Sequence, residues 1–191
     1  MEAQHLVHDA TVPDLFVVTG ISASGKTTVG RALADRLHPS AFIEGDVIRR
    51  MVHNGRVEMT PGASAAALAQ LRIRYRHTAI LANSYREHGF HVVVEDIIIG
   101  AALTEFLGYL APGPVHLVVL TPDATVVAER ERGRQKSAYA ADWQICHYDS
   151  VLRERTPRLG LWLDTGRQSP DATVAEILAR RGEALLSGVP S

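Results

Sequence analysis

One cysteine, Cys146, stands among the 191 residues, so no intramolecular disulfide can form, and no Cys/His cluster has zinc spacing. A partly buried structural thiol is its expected role. An excess of one charge is missing too. Lys+Arg number 20 and Asp+Glu 21, for a formal net charge of -1. That balance argues against coating nucleic acid or an anionic membrane by charge alone, while leaving room for a local basic site. No apolar run approaches the roughly 20 residues needed to span a bilayer. The longest, Val92 to Ile99, is broken by Glu95 and Asp96. Met1 to Asp14 mixes acidic, basic and polar residues without an apolar h-region, so it does not read as a secretory signal. These absences lead us to expect a cytoplasmic protein with neither nucleic acid nor membrane as partner. Repeats and low-complexity linkers are also missing.

What is present is an alternation of short apolar runs with longer amphipathic stretches, the pattern of βαβ units around a parallel sheet. Strands are expected at Leu15 to Thr19, Ala41 to Ile43, Phe90 to Val94, Val115 to Leu120 and Leu161 to Leu163. Helices are expected from Lys26 to Leu37, Ala63 to His88, Ala101 to Leu110, from Thr121-Pro122 to Arg132, and from Asp171 to Leu185. His38-Pro39 and Gly89 read as stops, and Thr121 and Ser169 as caps before proline. The expectation is an α/β fold, a three-layer α/β/α sandwich on a five-stranded parallel sheet. Residues 1–14 form an N-terminal extension and residues 15–191 one domain. Polar or glycine-rich segments follow strands one, two and three, at the edge where open α/β sheets bind ligands.

Gly20-Ile21-Ser22-Ala23-Ser24-Gly25-Lys26-Thr27 matches G-x-x-x-x-G-K-[ST] between an expected strand and an expected helix, the context this phosphate-binding loop requires. Glycines let backbone N–H groups curl around phosphate oxygens, and the following helix aims its positive end at the same place. Gly20, Ser22, Ala23, Ser24, Gly25, Lys26, Thr27 and Thr28 are therefore expected to hold ATP. Lys26 should reach the outer phosphates and the Thr27 hydroxyl should ligate Mg²⁺. The guanine-reading Asn/Thr-Lys-x-Asp of GTPases does not occur.

On the acceptor side, Asp46 follows the second strand within Glu44-Gly45-Asp46-Val47-Ile48-Arg49. A carboxylate there suits a base that takes the proton of an acceptor hydroxyl, and it also suits a helix N-cap. Arg49, three residues on, would share a helical face with it and could hold the acceptor. Glu44 either binds substrate or faces solvent. Glu95-Asp96 ends an apolar strand, where a carboxylate holds Mg²⁺ directly or through water. Strand alternation puts the two on opposite faces. Only one of the two should face the metal, and alternation leaves either open; Asp96 is taken with Thr27 as the metal pair, and both carboxylates as acceptor-binding. An arginine-rich lid is expected near 130–140, with Arg130 and Arg134 closing over the transferring phosphate. Thr165, in Asp164-Thr165-Gly166, either lies where a loop reads adenine or belongs to a plain turn. Arg72, Arg74, Arg76 and Arg86 on the long helix make no clean stripe and read as mostly solvated or structurally paired.

The ordered set resembles the small-molecule kinases among P-loop proteins. It runs from Gly-Ile-Ser-Ala-Ser-Gly-Lys-Thr-Thr through Ile-Glu-Gly-Asp-x-Ile-Arg and Val-Val-Val-Glu-Asp-Ile-Ile-Ile-Gly to Leu-Asp-Thr-Gly. It looks most like the chloramphenicol phosphotransferase-like family, and the Glu-Gly-Asp-x-Ile-Arg segment is also similar to adenylylsulfate and gluconate kinases. The resemblance implies a P-loop nucleoside triphosphate hydrolase, nucleoside-kinase-like fold, with Asp46 as base. It implies transfer from MgATP to a hydroxyl of a small molecule, an antibiotic among the candidates. One departure is that Glu95-Asp96 stands where the antibiotic kinase would show two aspartates. A toxin-type kinase of a nucleotide sugar, and a regulator that binds ATP without transferring it, are the competing readings. A homo-oligomer is compatible with all three.

Overall fold

The structure is a computed structural model and describes residues 12–60, 62–132 and 142–187. Five parallel strands form one sheet in the order β2-β3-β1-β4-β5: β1 Leu15–Thr19, β2 Ser40–Glu44, β3 His91–Asp96, β4 Val115–Leu120 and β5 Leu161–Leu163. The strands read as near-continuous apolar runs because both faces are covered, as parallel sheets require. Alternation divides the core in two. Leu15, Val17, Val92, Val94, Leu117 and Val119 pack on one face with Tyr75, Ala79, Leu103 and Phe106. Phe16, Val18, Val93, Val118 and Leu120 pack on the other with Val29, Leu33, Val174 and Ile177. The three-layer α/β sandwich expected from the sequence is the fold observed.

The first face carries α3 (Ala65–Glu87) and α4 (Ala101–Leu107), and the second carries α1 (Lys26–Ala34) and α7 (Pro170–Ala179). Gly30 lets α1 lie close on the sheet, since a Cβ there would sit 2.8 Å from the Phe42 ring. The remaining helices are α2 (Gly45–Arg50), α5 (Ala124–Arg132), α6 (Asp142–Ser150) and α8 (Arg181–Ala184), with a π-helical turn at Val151–Arg155. Among the described residues no helix is long and apolar enough to cross a membrane.

Several boundaries differ from the expectations. The first helix stops at Ala34 rather than Leu37, and α4 ends at Leu107, three residues early. Ser64 caps α3, its hydroxyl accepting from the Ala67 N–H. Thr121 caps no helix. Its hydroxyl donates to the Leu163 carbonyl and ties β4 to β5, and α5 starts only at Ala124. The last helix breaks at Arg180, which pairs with Glu176 and Glu183 across the two segments. Neither α6 nor the π-helical turn was expected, because the charged stretch around them has no apolar period to reveal it. Cys146 is exposed on α6 rather than partly buried. Arg86 takes the structurally paired alternative: it is buried and donates to the carbonyls of Pro13 and Ala111.

Candidate active site

The carboxyl ends of β1, β2 and β3 meet because the strands pair in register, Thr19 beside Asp96 and Glu44 beside Glu95. Thr19 locks this edge: its hydroxyl donates to the Ile98 carbonyl at 3.0 Å and accepts from the Ile98 N–H at 2.9 Å. The glycine-rich loop leaves β1 here and enters α1. Gly20, Ala23 and Gly25 all have positive φ, at 152°, 57° and 98°. This winds the backbone into a concavity of N–H groups suited to an anion. Gly20 also has no room for a side chain, since a Cβ would lie 2.6 Å from the Leu120 carbonyl oxygen. Ala23 is the one described non-glycine residue with positive φ. That conformation costs an L-residue about 1 kcal/mol, strain of the kind found at ligand-binding loops. The Lys26 ammonium donates to the Ile21 carbonyl at 3.0 Å. Ser24 Oγ is buried with no hydrogen-bond partner among the described residues, a position a nucleotide phosphate can satisfy.

Two hollows flank the loop. The larger, about 770 Å³, runs from Ser22, Lys26 and Thr27 to Asp46, Arg49, Arg74, Glu95 and Asp96. The smaller, about 330 Å³, lies on the other flank, between Ser24, Thr28, Arg130, Thr165, Gln168 and Thr173. The loop divides them as a donor-phosphate site would divide an acceptor from a nucleobase.

Asp46 sits in the first turn of α2 and does not cap it, for the N-cap residue is Glu44 and makes no side-chain capping bond. Instead Asp46 Oδ1 accepts from Arg49 Nε at 3.1 Å, and both side chains line the larger cavity. Glu44 lines the same cavity and pairs with Arg31 and Arg50.

The two β3 carboxylates divide as alternation requires, in the opposite sense to the expectation. Glu95, not Asp96, meets the loop: the Thr27 hydroxyl donates to Glu95 Oε1 at 3.1 Å. Burial pushes the Glu95 carboxyl up to about 7, against the pull of Lys26. A buried carboxylate beside a hydroxyl, short of positive charge, fits a divalent cation shared with phosphate oxygens and water. Thr27 and Glu95 are the residues that would hold Mg²⁺. No group of three or more His, Cys, Asp or Glu among the described residues forms a metal cage of its own.

Asp96 turns toward α3. Its Oδ2 lies 2.9 Å from Arg74 Nε, close enough for an ion pair, although the pair is not aligned as a hydrogen bond and neither atom has such a bond among the described residues. Its Oδ1 accepts from the Ile97 N–H at 2.7 Å. Burial still holds Asp96 above the usual carboxylate range despite Arg74. Burial also works against the Arg74 guanidinium, but Asp96, Tyr75 and Asp46 together hold it above the ordinary arginine value.

Arg130 borders the smaller hollow and does not line the larger one. It donates to the carbonyls of Thr165 at 3.1 Å and Ser24 at 3.4 Å. The strand order explains this: α5 follows β4, on the side of β1 away from β2 and β3. Thr165 joins it, its hydroxyl donating to the same Ser24 carbonyl at 3.4 Å. Arg134 and most of the expected lid lie outside the described residues.

Two contributors to the site, Tyr75 and Gly45, were not expected, while Arg74 takes the structural pairing expected of the long-helix arginines. Arg74 and Tyr75 come from α3, and the Tyr75 hydroxyl donates to the Ile97 carbonyl at 2.8 Å, beside Asp96. Gly45 admits Asp96, because a Cβ there would run into the Asp96 carboxylate. The arginines of α3 gave no period to follow, but a glycine between two acids after a strand was a readable signal.

A family model described as an AAA domain matches residues 15–157. No curated protein matches the sequence. Among solved structures, a sugar kinase from Janibacter sp. is 22% identical, with 90% of this chain and 96% of that one covered, at a TM-score of 0.68. A tunicamycin resistance protein from Deinococcus radiodurans is 19% identical, with 92% and 99% covered, at 0.66. A gluconokinase from Sinorhizobium meliloti 1021 is 24% identical, with 91% and 95% covered, at 0.63. At these identities the likeness is one of fold.

Proposed function

The chain belongs to the AAA domain family, and from that premise we propose that it is a P-loop kinase transferring the γ-phosphoryl group of MgATP to a hydroxyl of a small molecule. One observation carries the reading: a single cavity of about 770 Å³ joins Lys26 and Thr27 to Asp46, while a separate hollow lies on the far flank of the loop. A binding-only regulator has no use for a second large cavity with a carboxylate beside the phosphate loop.

In this reading the loop and Lys26 hold the donor phosphates, and Arg130 and Thr165 border the base. Mg²⁺, held by Thr27 and Glu95, would neutralise charge on the phosphate oxygens. Asp46, oriented by Arg49, accepts the hydroxyl proton as the acceptor oxygen bonds to the γ-phosphorus and the bond to the departing ADP breaks. The Glu95-Asp96-Ile97-Ile98-Ile99-Gly100 segment supports an antibiotic-type acceptor of the chloramphenicol phosphotransferase-like kind. The fold shared with a gluconokinase and a sugar kinase supports a sugar-derived one. A cytoplasmic location, where ATP is plentiful, accords with either.

The test is phosphoryl transfer from MgATP across a library of hydroxylated metabolites and antibiotics, read by mass spectrometry. Asp46→Asn is expected to lower transfer by about 10²-fold or more, the range for a lost general base, while ATP affinity holds. Equal transfer by the variant removes Asp46 as base, and tight ATP binding with no product from any compound favours the regulator.

A further inference from the structure

The charges around the larger cavity are already matched in a way that restricts what can enter. Two arginines line it, and both face carboxylates. Arg74 pairs with Asp96. Arg49 donates from Nε to Asp46, and from one terminal nitrogen to both oxygens of Glu58, at 3.1 and 2.8 Å. Lys26 belongs to the donor phosphates in the kinase reading. A carboxylate or phosphate on the acceptor would stand beside the triphosphate and find both lining arginines already paired with carboxylates.

Glu58 is placed there by the chain. Gln70 of α3 pins the segment that carries it, accepting from the Val57 N–H at 2.9 Å and donating to the Gly55 carbonyl at 2.7 Å. The pinned segment also brings Val57 and Met59 to the cavity, which Met51, Leu68 and Leu71 line as well. Val57, Met59, Met51 and Leu68 are more than a third exposed, Met51 as much as 65%. Apolar side chains gathered at the mouth of a polar-floored cavity are what an amphipathic ligand covers. One strap therefore cancels the Arg49 charge and supplies an apolar wall.

Resting on the kinase reading of this site, we infer that the acceptor is an uncharged molecule joining hydroxyls to an apolar portion, and that Glu58 sets this preference by engaging Arg49. Removing the Glu58 charge frees the Arg49 terminal nitrogen, which already lines the cavity, to read anions while Nε stays on Asp46.

Two probes that differ only in CH₂OH against carboxylate, 4-nitrophenyl β-D-glucopyranoside and 4-nitrophenyl β-D-glucuronide, test this. Their affinities are measured by calorimetry on the full chain with Mg²⁺ and a non-hydrolysable ATP analogue. The wild type is expected to bind the glucoside about tenfold more tightly or better, a difference of one decade in Kd. Glu58→Gln is expected to bring the two to parity or reverse them, and Arg49→Met in that background to restore the wild-type order. Equal or tighter binding of the glucuronide by the wild type overturns the inference. So does an unchanged ratio in Glu58→Gln, or no binding of either probe at millimolar concentration. Failure of the kinase reading would show differently, as a kept probe preference with no Asp46-dependent transfer.

Discussion

The two ends of the sheet bury carboxylates under opposite terms. At the amino ends of the strands, Asp14 is buried just before β1, beside one guanidinium, Arg181, and two imidazoles, His91 and His116. His116 Nε2 lies 3.0 Å from its Oδ1, Arg181 donates to the same oxygen at 2.6 Å, and His91 Nδ1 lies 3.3 Å from Oδ2. Burial alone would raise Asp14, but His116 and Arg181, with His91, bring it below the usual carboxylate range. At the carboxyl ends, Glu95 is also buried and accepts from one hydroxyl, and burial wins. Both carboxylates are shut off from solvent, Glu95 the deeper of the two, and their partners differ. A satisfied carboxylate fastens the fold, and an undersatisfied one is held ready for a charge that arrives with ligand.

The strongest way to break this contrast is at Asp14. Asp14→Ala removes the carboxylate that Arg181 and the buried His116 ring share, and should cost about 2 to 3 kcal/mol, as leaving a buried hydrogen-bonding group unpaired does. Urea unfolding should show that loss while affinity for MgATP stays at the wild-type value. A fall in nucleotide affinity in step with stability would unite the two ends.

Glu95→Gln should act in the opposite direction. Because the native Glu95 carboxyl sits near 7 and an unfolded one near 4.5, the native chain binds the extra proton between those values. Stability therefore falls as pH rises through that window. Glutamine keeps the acceptor for Thr27 without the charge. In metal-free protein at about pH 8 the variant should be more stable by about 2 kcal/mol, with no advantage at about pH 4. It should also lose the Mg²⁺-dependent part of its ATP affinity. A variant no more stable than wild type at the higher pH would show that Glu95 is satisfied after all. Asp14 has the reverse sign: its contribution is present above the unfolded carboxylate value and disappears as pH falls through its lowered native one.

Gly45→Ala sharpens the comparison with a smaller effect. The added methyl must displace the Asp96 carboxylate. The expected cost in stability is about 1 kcal/mol, at the low end for overpacking, because α2 lies at the edge and can shift. Transfer should fall through Asp96 and Arg74 while nucleotide binding persists. Unchanged turnover would detach Asp96 from the acceptor site.

Much of this was legible in the chain itself. The valine runs of β1, β3 and β4 announced a sheet buried on both faces, and Gly20 to Thr27 between a strand and a helix announced the phosphate loop, because local geometry alone gives that motif its chemistry. Asp46 and Arg49 were also placed by local reasoning, since i and i+3 share a helical face. Alternation separated Glu95 from Asp96 but could not say which way β3 was turned. That depended on the pairing of β3 with β1, which brings Glu95 beside α1 and Asp96 beside α3.

The sequence by itself determined the layers, the phosphate loop and the edge of the sheet that carries the site, because each is written in short-range pattern. The tertiary structure alone decided which carboxylate meets Thr27, that Arg130 lies against Ser24 and Thr165 in the smaller hollow, and that Arg74 and Glu58 line the larger cavity. Those outcomes rest on contacts between segments 20 to more than 100 residues apart, or on a strap pinned by the helix that follows it. Strand order and burial settle such contacts, and neither has a local signature in the chain.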